Sequence, residues 1–266
     1  MPRLNVSLLT FCATATAFRP TAGPVHIQTR RPRVTQLRLT AAADNEGRFA
    51  AFATRPTTSE LDLSSWKAIN KGKVLNSNWK GVQFLKSPFD SMILVELLRE
   101  LRPRSILELG ALAGGSALFL ADQSRALGLE PQPQIFSVEL YPQGLDETAL
   151  AAQADPAQRL TFLTPVNITS DLPALQPVLE TLERPLLVLE DAHVTLGNTL
   201  RFLDEHILRE GDYLVVEDTV DEAKRNELGE FLAGTPEGRY AVDTHLTDYF
   251  GENVCWNVNA YLRRMK

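Results

Sequence analysis

Two acidic doublets occupy matching places in this sequence. Glu190-Asp191 stands just before Ala192-His193, and Glu217-Asp218 just before Thr219. Each doublet closes a short apolar run, Leu186 to Leu189 and Tyr213 to Val216. If the two runs are neighbouring strands, with axes about 4.8 Å apart, up to four carboxylates crowd one patch. Like charges so placed raise one another's pKa, and a hard divalent cation turns that repulsion into coordination. Ligands that are all oxygen suit Mg2+ better than Zn2+. Asp191 and Asp218 could instead cap the helices that follow. His193 could be a general base, a metal ligand or a hydrogen-bonded side chain without a chemical role.

A glycine loop comes earlier in the chain: Glu108-Leu-Gly110-Ala-Leu-Ala-Gly114-Gly115-Ser116. It links an apolar run to a helical stretch. Glycines there allow a tight turn and close approach of a ligand to the backbone, and a helix start offers free N–H groups. The loop is wider than G-x-G-x-x-G, and Leu112 fills a position often held by glycine. Both features count against a nicotinamide dinucleotide. Glu108 would repel a pyrophosphate but suit an ammonium or sulfonium group. Gly110, Gly114, Gly115 and Ser116 are therefore candidate contacts to a cofactor, together with Glu108. Glu139 ends the next apolar run and could accept both hydroxyls of a ribose, or be a solvated acid at a helix start. Asn167 and Ile168 follow a third run and could flank the edge and face of an adenine.

The elements that must hold these groups can be read from hydrophobic pattern. Ser105–Leu109, Ile135–Val138, Leu160–Leu163, Leu186–Leu189 and Tyr213–Val216 are the apolar runs of strands covered on both faces. Helical stretches lie between them, over 89–101, 115–127, 145–153, 172–182, 197–209 and 221–233. The alternation predicts a doubly wound, parallel α/β sheet with helices on both faces. A last strand, read as antiparallel, falls within Val254–Leu262. In such a sheet, ligands bind beyond the C-terminal strand ends near the point where strand order reverses. The doublets, the glycine loop and Glu139 all stand at such ends.

Taken together these residues resemble the class I S-adenosylmethionine-dependent methyltransferases, and more narrowly the cephalosporin hydroxylase / rhamnosyl O-methyltransferase family. The similar pieces are Lys86-Ser-Pro88-Phe-Asp90, Ile106 to Ser116, Leu189-Glu-Asp-Ala-His193, Gly211 to Thr219, and Asn257 to Arg264. The resemblance covers about residues 79–264. It implies a Rossmann-like, seven-stranded sheet with an antiparallel last strand, S-adenosylmethionine at the glycine loop, and Mg2+ on Asp191, Glu217 and Asp218. The family commonly carries an acid three residues before the histidine, which here is Glu190, and a small residue where Asp191 stands. Either acid could thus be the ligand. The implied activity is Mg2+-assisted O-methylation of a small hydroxylated acceptor, sugar-like or a secondary metabolite. Asp191 and His193 would be the catalytic pair, His193 taking the hydroxyl proton. An NAD-type oxidoreductase and a catalytically inert S-adenosylmethionine-binding protein are the alternative readings.

Composition excludes other classes. A chain of 266 residues with 44% hydrophobic and 23% charged residues is ordinary for a globular α/β protein, not a disordered or disulfide-built one. Its net charge of −6 disfavours phosphate-driven nucleic-acid binding. No apolar run approaches the roughly 20 residues of a membrane span. A small-molecule acceptor is the expected partner, and homo-oligomers are allowed for.

The charge is uneven. Residues 1–43 hold six arginines, no lysine and no acid, which leaves 21 basic against 33 acidic residues from Asp44 onward. Ala15-Thr-Ala17 has the pattern of a signal-peptidase site, followed by Phe18-Arg-Pro20 and an Arg- and Thr-rich stretch. This order resembles the bipartite presequences of algae with secondary plastids, with a mitochondrial address as the alternative. Residues 1–43 then form a presequence, 44–88 an extension and 89–266 the methyltransferase domain. Cleavage would remove Cys12 and leave Cys255 alone, so no intramolecular disulfide or cysteine metal site could form. Residues 1–43 fused to a fluorescent reporter should carry it into an organelle, plastid before mitochondrion, as seen by microscopy. A uniformly cytosolic reporter would refute the targeting reading.

Overall fold

The computed structural model describes residues 47–266 apart from Lys71 and Lys73, so the presequence lies outside the described residues. Its centre is an eight-stranded sheet. Four strands form the parallel core with β8: β4 (Ser105–Leu109), β5 (Gln134–Val138), β6 (Leu160–Leu163) and β7 (Leu186–Glu190), the last pairing with β8 (Tyr213–Val216). β10 (Tyr261–Arg264) is inserted antiparallel between β8 and β9 (Tyr240–Asp243). The full order is β1-β9-β10-β8-β7-β4-β5-β6, where β1 is Phe49–Ala50.

Helices α2 (Pro88–Leu101), α3 (Gly115–Ala126) and α4 (Glu147–Gln153) cover one face of the sheet. Their buried Leu94, Leu97, Leu118 and Ala149 share a core with Ile106, Leu187, Leu189 and Val215. Helices α5 (Ile168–Leu179), α6 (Leu196–Phe202) and α7 (Glu222–Ala233) cover the other, where Leu172, Leu200 and Leu228 meet Leu107, Leu109, Val188 and Val216. Alternate residues of each strand thus enter opposite cores, as a pleated strand buried on both faces requires. Local signals set the helix starts. The Ser87 side chain accepts from the Asp90 N–H, with Pro88 in the first turn, and Asp221 accepts from the N–H groups of Ala223 and Lys224 at α7.

Three expectations are corrected. The sheet has eight strands rather than seven, because two residues of the 44–88 extension add β1 to its edge, antiparallel to β9. β9, Tyr-Ala-Val-Asp, has only three apolar residues set between Arg239 and Asp243, too little pattern to mark a strand. The last strand begins at Tyr261, because residues 254–260 are spent on turns in which Asn257 and Asn259 are buried.

The extension is fastened by charge. Arg48 donates to both carboxylate oxygens of buried Asp243, at 2.9 and 2.6 Å, and to Glu100 at 2.6 Å. Further on, Arg55 bonds Asn259 and Asp248, and Asn253 donates to the carbonyls of Pro56 and Thr58. These bonds lead the chain to α1 (Leu63–Asn70). A short hairpin, β2 (Asn78–Trp79) with β3 (Val82–Gln83), then packs on α3.

Gly115 shows how close that packing is, since a Cβ there would run into the Gln83 carbonyl. The contact is backbone on backbone and cannot relax by a rotamer change. Gly115→Ala should therefore destabilise the protein by about 1–3 kcal/mol, read as a lowered midpoint in chemical denaturation. An unchanged midpoint would show that the hairpin can move aside.

Candidate active site

β4 lies between β5 and β7, and the chain departs from it in opposite directions, so the strand order reverses there. Gly110 follows β4 with φ +100°, and a Cβ on it would meet the Asp191 carbonyl oxygen at 2.5 Å. The ends of β4 and β7 therefore abut, and beyond them opens a cavity of about 640 Å3 reached by Gly110, Glu139, Asp191, His193 and Asp218. A second space of about 230 Å3 continues from it past Glu139 to Asn167 and Ile168.

Strand pleating sorts the acidic doublets. Glu190 points to the face of Val188, where Lys224 of α7 lies 3.1 Å from its buried carboxylate. Asp191 and Glu217 lie on the opposite side. There the ammonium of Lys86, itself buried, sits 2.9 Å from Asp191 Oδ2 and 2.7 Å from Glu217 Oε2. Burial by itself would lower the Lys86 pKa. The charges of Asp191, Glu217 and Glu108 outweigh it, and the net shift is upward. Glu217 is pushed well above the usual carboxylate range by burial, against the pull of Lys86, and its Oε1 is buried without a hydrogen-bond partner.

The free side of this arrangement is a three-residue cluster. His193 Nε2 lies 3.6 Å from Asp191 Oδ1 and 3.5 Å from Asp218 Oδ2. One ligand atom from each of the three residues falls within 4.8 Å of the others. Burial, then the neighbouring Asp191, raises the pKa of Asp218. Its backbone N–H is fixed by Asn257 Oδ1 at 3.0 Å. Neither aspartate caps a helix: Thr195 is the N-cap residue of α6, without a side-chain bond, and α7 is capped by Asp221. Asp191 and Asp218 present carboxylate oxygens that fit a hard divalent cation, and His193 stands within reach of both as a proton acceptor.

The cofactor candidates separate into two groups. Glu139 lines both spaces and accepts the N–H of Leu112 at 2.8 Å and of Tyr141 at 3.0 Å, which aims it across the glycine loop. Gly110 and Ile168 also line cavity space. Asn167 does as well, although its side chain accepts from Thr169 N–H at 3.0 Å as the cap of α5. Glu108 is fully buried, and both of its oxygens accept hydroxyls, from Ser116 and from Ser137. It joins α3 to β4 and β5 and shows no free face to a sulfonium. Ser116 is thereby engaged, and Gly114 and Gly115 serve packing, Gly114 against Ala149 and Phe162. Among the described residues, the glycine loop contributes Gly110 and Leu112 to the cavity wall.

Two contributors were not singled out beforehand, Lys86 and Asp90. Asp90 is buried, and its oxygens accept from Tyr261 OH and Trp256 N–H, both at 2.8 Å. It thus holds the loop that places Trp256 in the cavity wall. The signal for both was the Lys86-Ser-Pro88-Phe-Asp90 segment. A lysine and an aspartate around an N-capped, proline-started helix reach buried partners on either side.

Comparison with known proteins identifies the family and the fold. The family model for Rhamnosyl O-methyltransferase/CmcI matches residues 71–265. A rhamnosyl O-methyltransferase of Mycobacterium leprae (strain TN) is 30% identical over 150 residues, 54% of this chain and 60% of that protein, so the match spans less than two thirds of the relative. The apo structure of CmcI-N160 superposes with a TM-score of 0.57 at 22% identity, over 80% of this chain and 87% of its own. A structure of CmcI-D160 with Mg and S-adenosylmethionine gives a TM-score of 0.57 at 21% identity, over 82% and 91%. At such identities these two structures bear on the fold, which is that of a Rossmann-like methyltransferase.

Lys86 offers a direct check on the site. Lys86→Met leaves buried Glu217 and part-buried Asp191 without their cation and should cost about 3–5 kcal/mol of folding stability. Glu217→Gln should cost far less, because a carboxylate whose pKa is raised on folding is penalised at pH values above its unfolded pKa. Adding Glu217→Gln to Lys86→Met should recover part of the loss in urea denaturation. Equal losses in the two single variants would contradict this charge arrangement.

Proposed function

Because the chain belongs to the Rhamnosyl O-methyltransferase/CmcI family, we propose that it transfers a methyl group from S-adenosylmethionine to a hydroxyl of a small acceptor, assisted by a divalent cation, Mg2+ first. The carrying observation is the Asp191–His193–Asp218 cluster at the ends of two adjacent parallel strands, opening into the cavity that Glu139 and Gly110 share. CmcI-D160, solved with Mg and S-adenosylmethionine, supports the pairing of this ion with this donor.

Methyl transfer is an in-line displacement. The acceptor oxygen bonds the methyl carbon while the carbon–sulfur bond breaks and its electron pair stays on sulfur. Positioning supplies much of the acceleration in such a reaction. Glu139 would take the ribose hydroxyls, and the narrower space beside Asn167 and Ile168 would take the adenine. The donor's reactive end would then point past Gly110 into the larger cavity. Asp191 and Asp218 would hold the cation, and Lys86 keeps Asp191 turned so that Oδ1 remains available. A bound cation would supply a Lewis acid that lowers the acceptor's pKa. His193, at the exposed rim, would take the hydroxyl proton. Residues 1–43 are proposed to address the chain to a plastid.

Calorimetry on the purified protein should show S-adenosylhomocysteine binding and NAD failing to bind. Glu139→Ala should weaken the former by about 1–3 kcal/mol. Chelation should abolish methyl transfer while leaving cofactor binding, and Mg2+ should restore it. Asp218→Asn should lose turnover yet keep its denaturation midpoint. Activity that survives exhaustive chelation would remove the cation from the mechanism.

A further inference from the structure

The larger cavity is chemically lopsided. Its apolar walls are Leu63, Trp66, Leu85, Leu112, Val220 and Trp256, while Glu139, Asp191, His193 and Asp218 stand just past the strand ends, Asp221 caps α7 and Lys67 lies on α1. Among the described residues, no Ser, Thr, Asn, Gln or Arg lines it. Trp66 is held edge-on against Phe89, with ring centroids 5.6 Å apart, and Phe89 in turn meets Phe250 at 5.3 Å. The Trp66 indole N–H is buried and has no hydrogen-bond partner. Trp256 is set from behind by the bond from its N–H to Asp90.

An acceptor ringed with hydroxyls, such as a free sugar, would find hydrogen-bonding side chains toward Asp191, His193 and Asp218 but would bring its other hydroxyls against apolar walls. An anionic acceptor would meet Glu139, Asp191, Asp218 and Asp221, with Lys67 the one lysine in the lining. We propose that the acceptor is a neutral, planar aromatic alcohol, whose ring system lies between the indole-bearing walls and whose hydroxyl reaches Asp191, His193 and Asp218. This rests on the methyltransferase reading and names the substrate class for the same cavity.

The test uses the full-length protein with Mg2+. S-adenosylhomocysteine binding is first measured by calorimetry. Then 2,3-dihydroxynaphthalene, methyl α-rhamnoside and glucose 6-phosphate are titrated into the loaded protein, followed by tryptophan fluorescence. The naphthalene diol should quench the fluorescence and bind at least tenfold more tightly than either sugar. With S-adenosylmethionine it should also be methylated. Trp256→Ala should raise its KM tenfold or more while S-adenosylhomocysteine affinity stays within twofold, and Trp256→Phe should recover most of the loss. If S-adenosylhomocysteine binds but the sugars match or exceed the diol, or the diol does not bind, the aromatic class is overturned and the methyltransferase reading stands. An unchanged KM in Trp256→Ala also overturns it. If S-adenosylhomocysteine itself fails to bind, the parent reading falls and takes this one with it.

Discussion

The buried ammonium of Lys86 is the interaction on which the site is built. Two carboxylates from different strands, Asp191 and Glu217, converge on it at 2.9 and 2.7 Å. Without a fixed positive charge, their approach in a dry interior would be met by protonation or by separation of the strand ends. With it, β7 and β8 can end side by side in acids, and one oxygen of Asp191 is left for the open side. The lysine is anchored in turn, since it directly precedes the N-cap of α2. A helix start, two strand ends and a charge cluster thus form one unit.

The same helix start governs a second contact. Asp90, four residues on, receives Tyr261 from β10 and the backbone of Trp256. Lys86 therefore orders the charged end of the cavity, and Asp90 orders part of its apolar wall. Asn257 completes the connection by holding the Asp218 N–H while donating to Tyr261. Segments far apart in sequence are cross-braced through few, fully buried polar atoms. Such groups are costly to leave unpaired, and this makes the arrangement specific.

Much of this was legible in the sequence, and the failures have physical causes. The parallel core strands and the helix order could be read from apolar runs, because strands covered on both faces allow little else. β1 has only two residues, and β9 has three apolar residues bracketed by Arg239 and Asp243, so neither carries a strand pattern. The doublets were recognised as acids at strand ends, but their members were not separated. Pleating separates them, since Glu190 shares the face of Val188, and Asp191 falls on the other. The glycine loop was overread. Gly114, Gly115, Ser116 and Glu108 form a coherent set, yet what they cohere around is the seat of α3 on the sheet. A motif that packs a helix and one that receives a ligand use the same small residues, and spacing alone does not distinguish them.

One side of the apolar wall comes from a different part of the chain than the acids do. The charged end belongs to the central strands, whereas Leu63 and Trp66 arrive on a helix that is reached only after the Arg48 and Arg55 fastenings. Those fastenings, to Asp243, Glu100 and Asp248, hold the backbone upstream of α1 and do not involve Asp191, Glu217 or Asp218. Substitutions in α1 can therefore reshape one side of the cavity while the groups that handle proton and cation stay in place. Reactivity and choice of partner molecule are in this sense separately heritable. Diversification of such a scaffold would be written first in the segment before residue 86, with the strand ends left as the constant text.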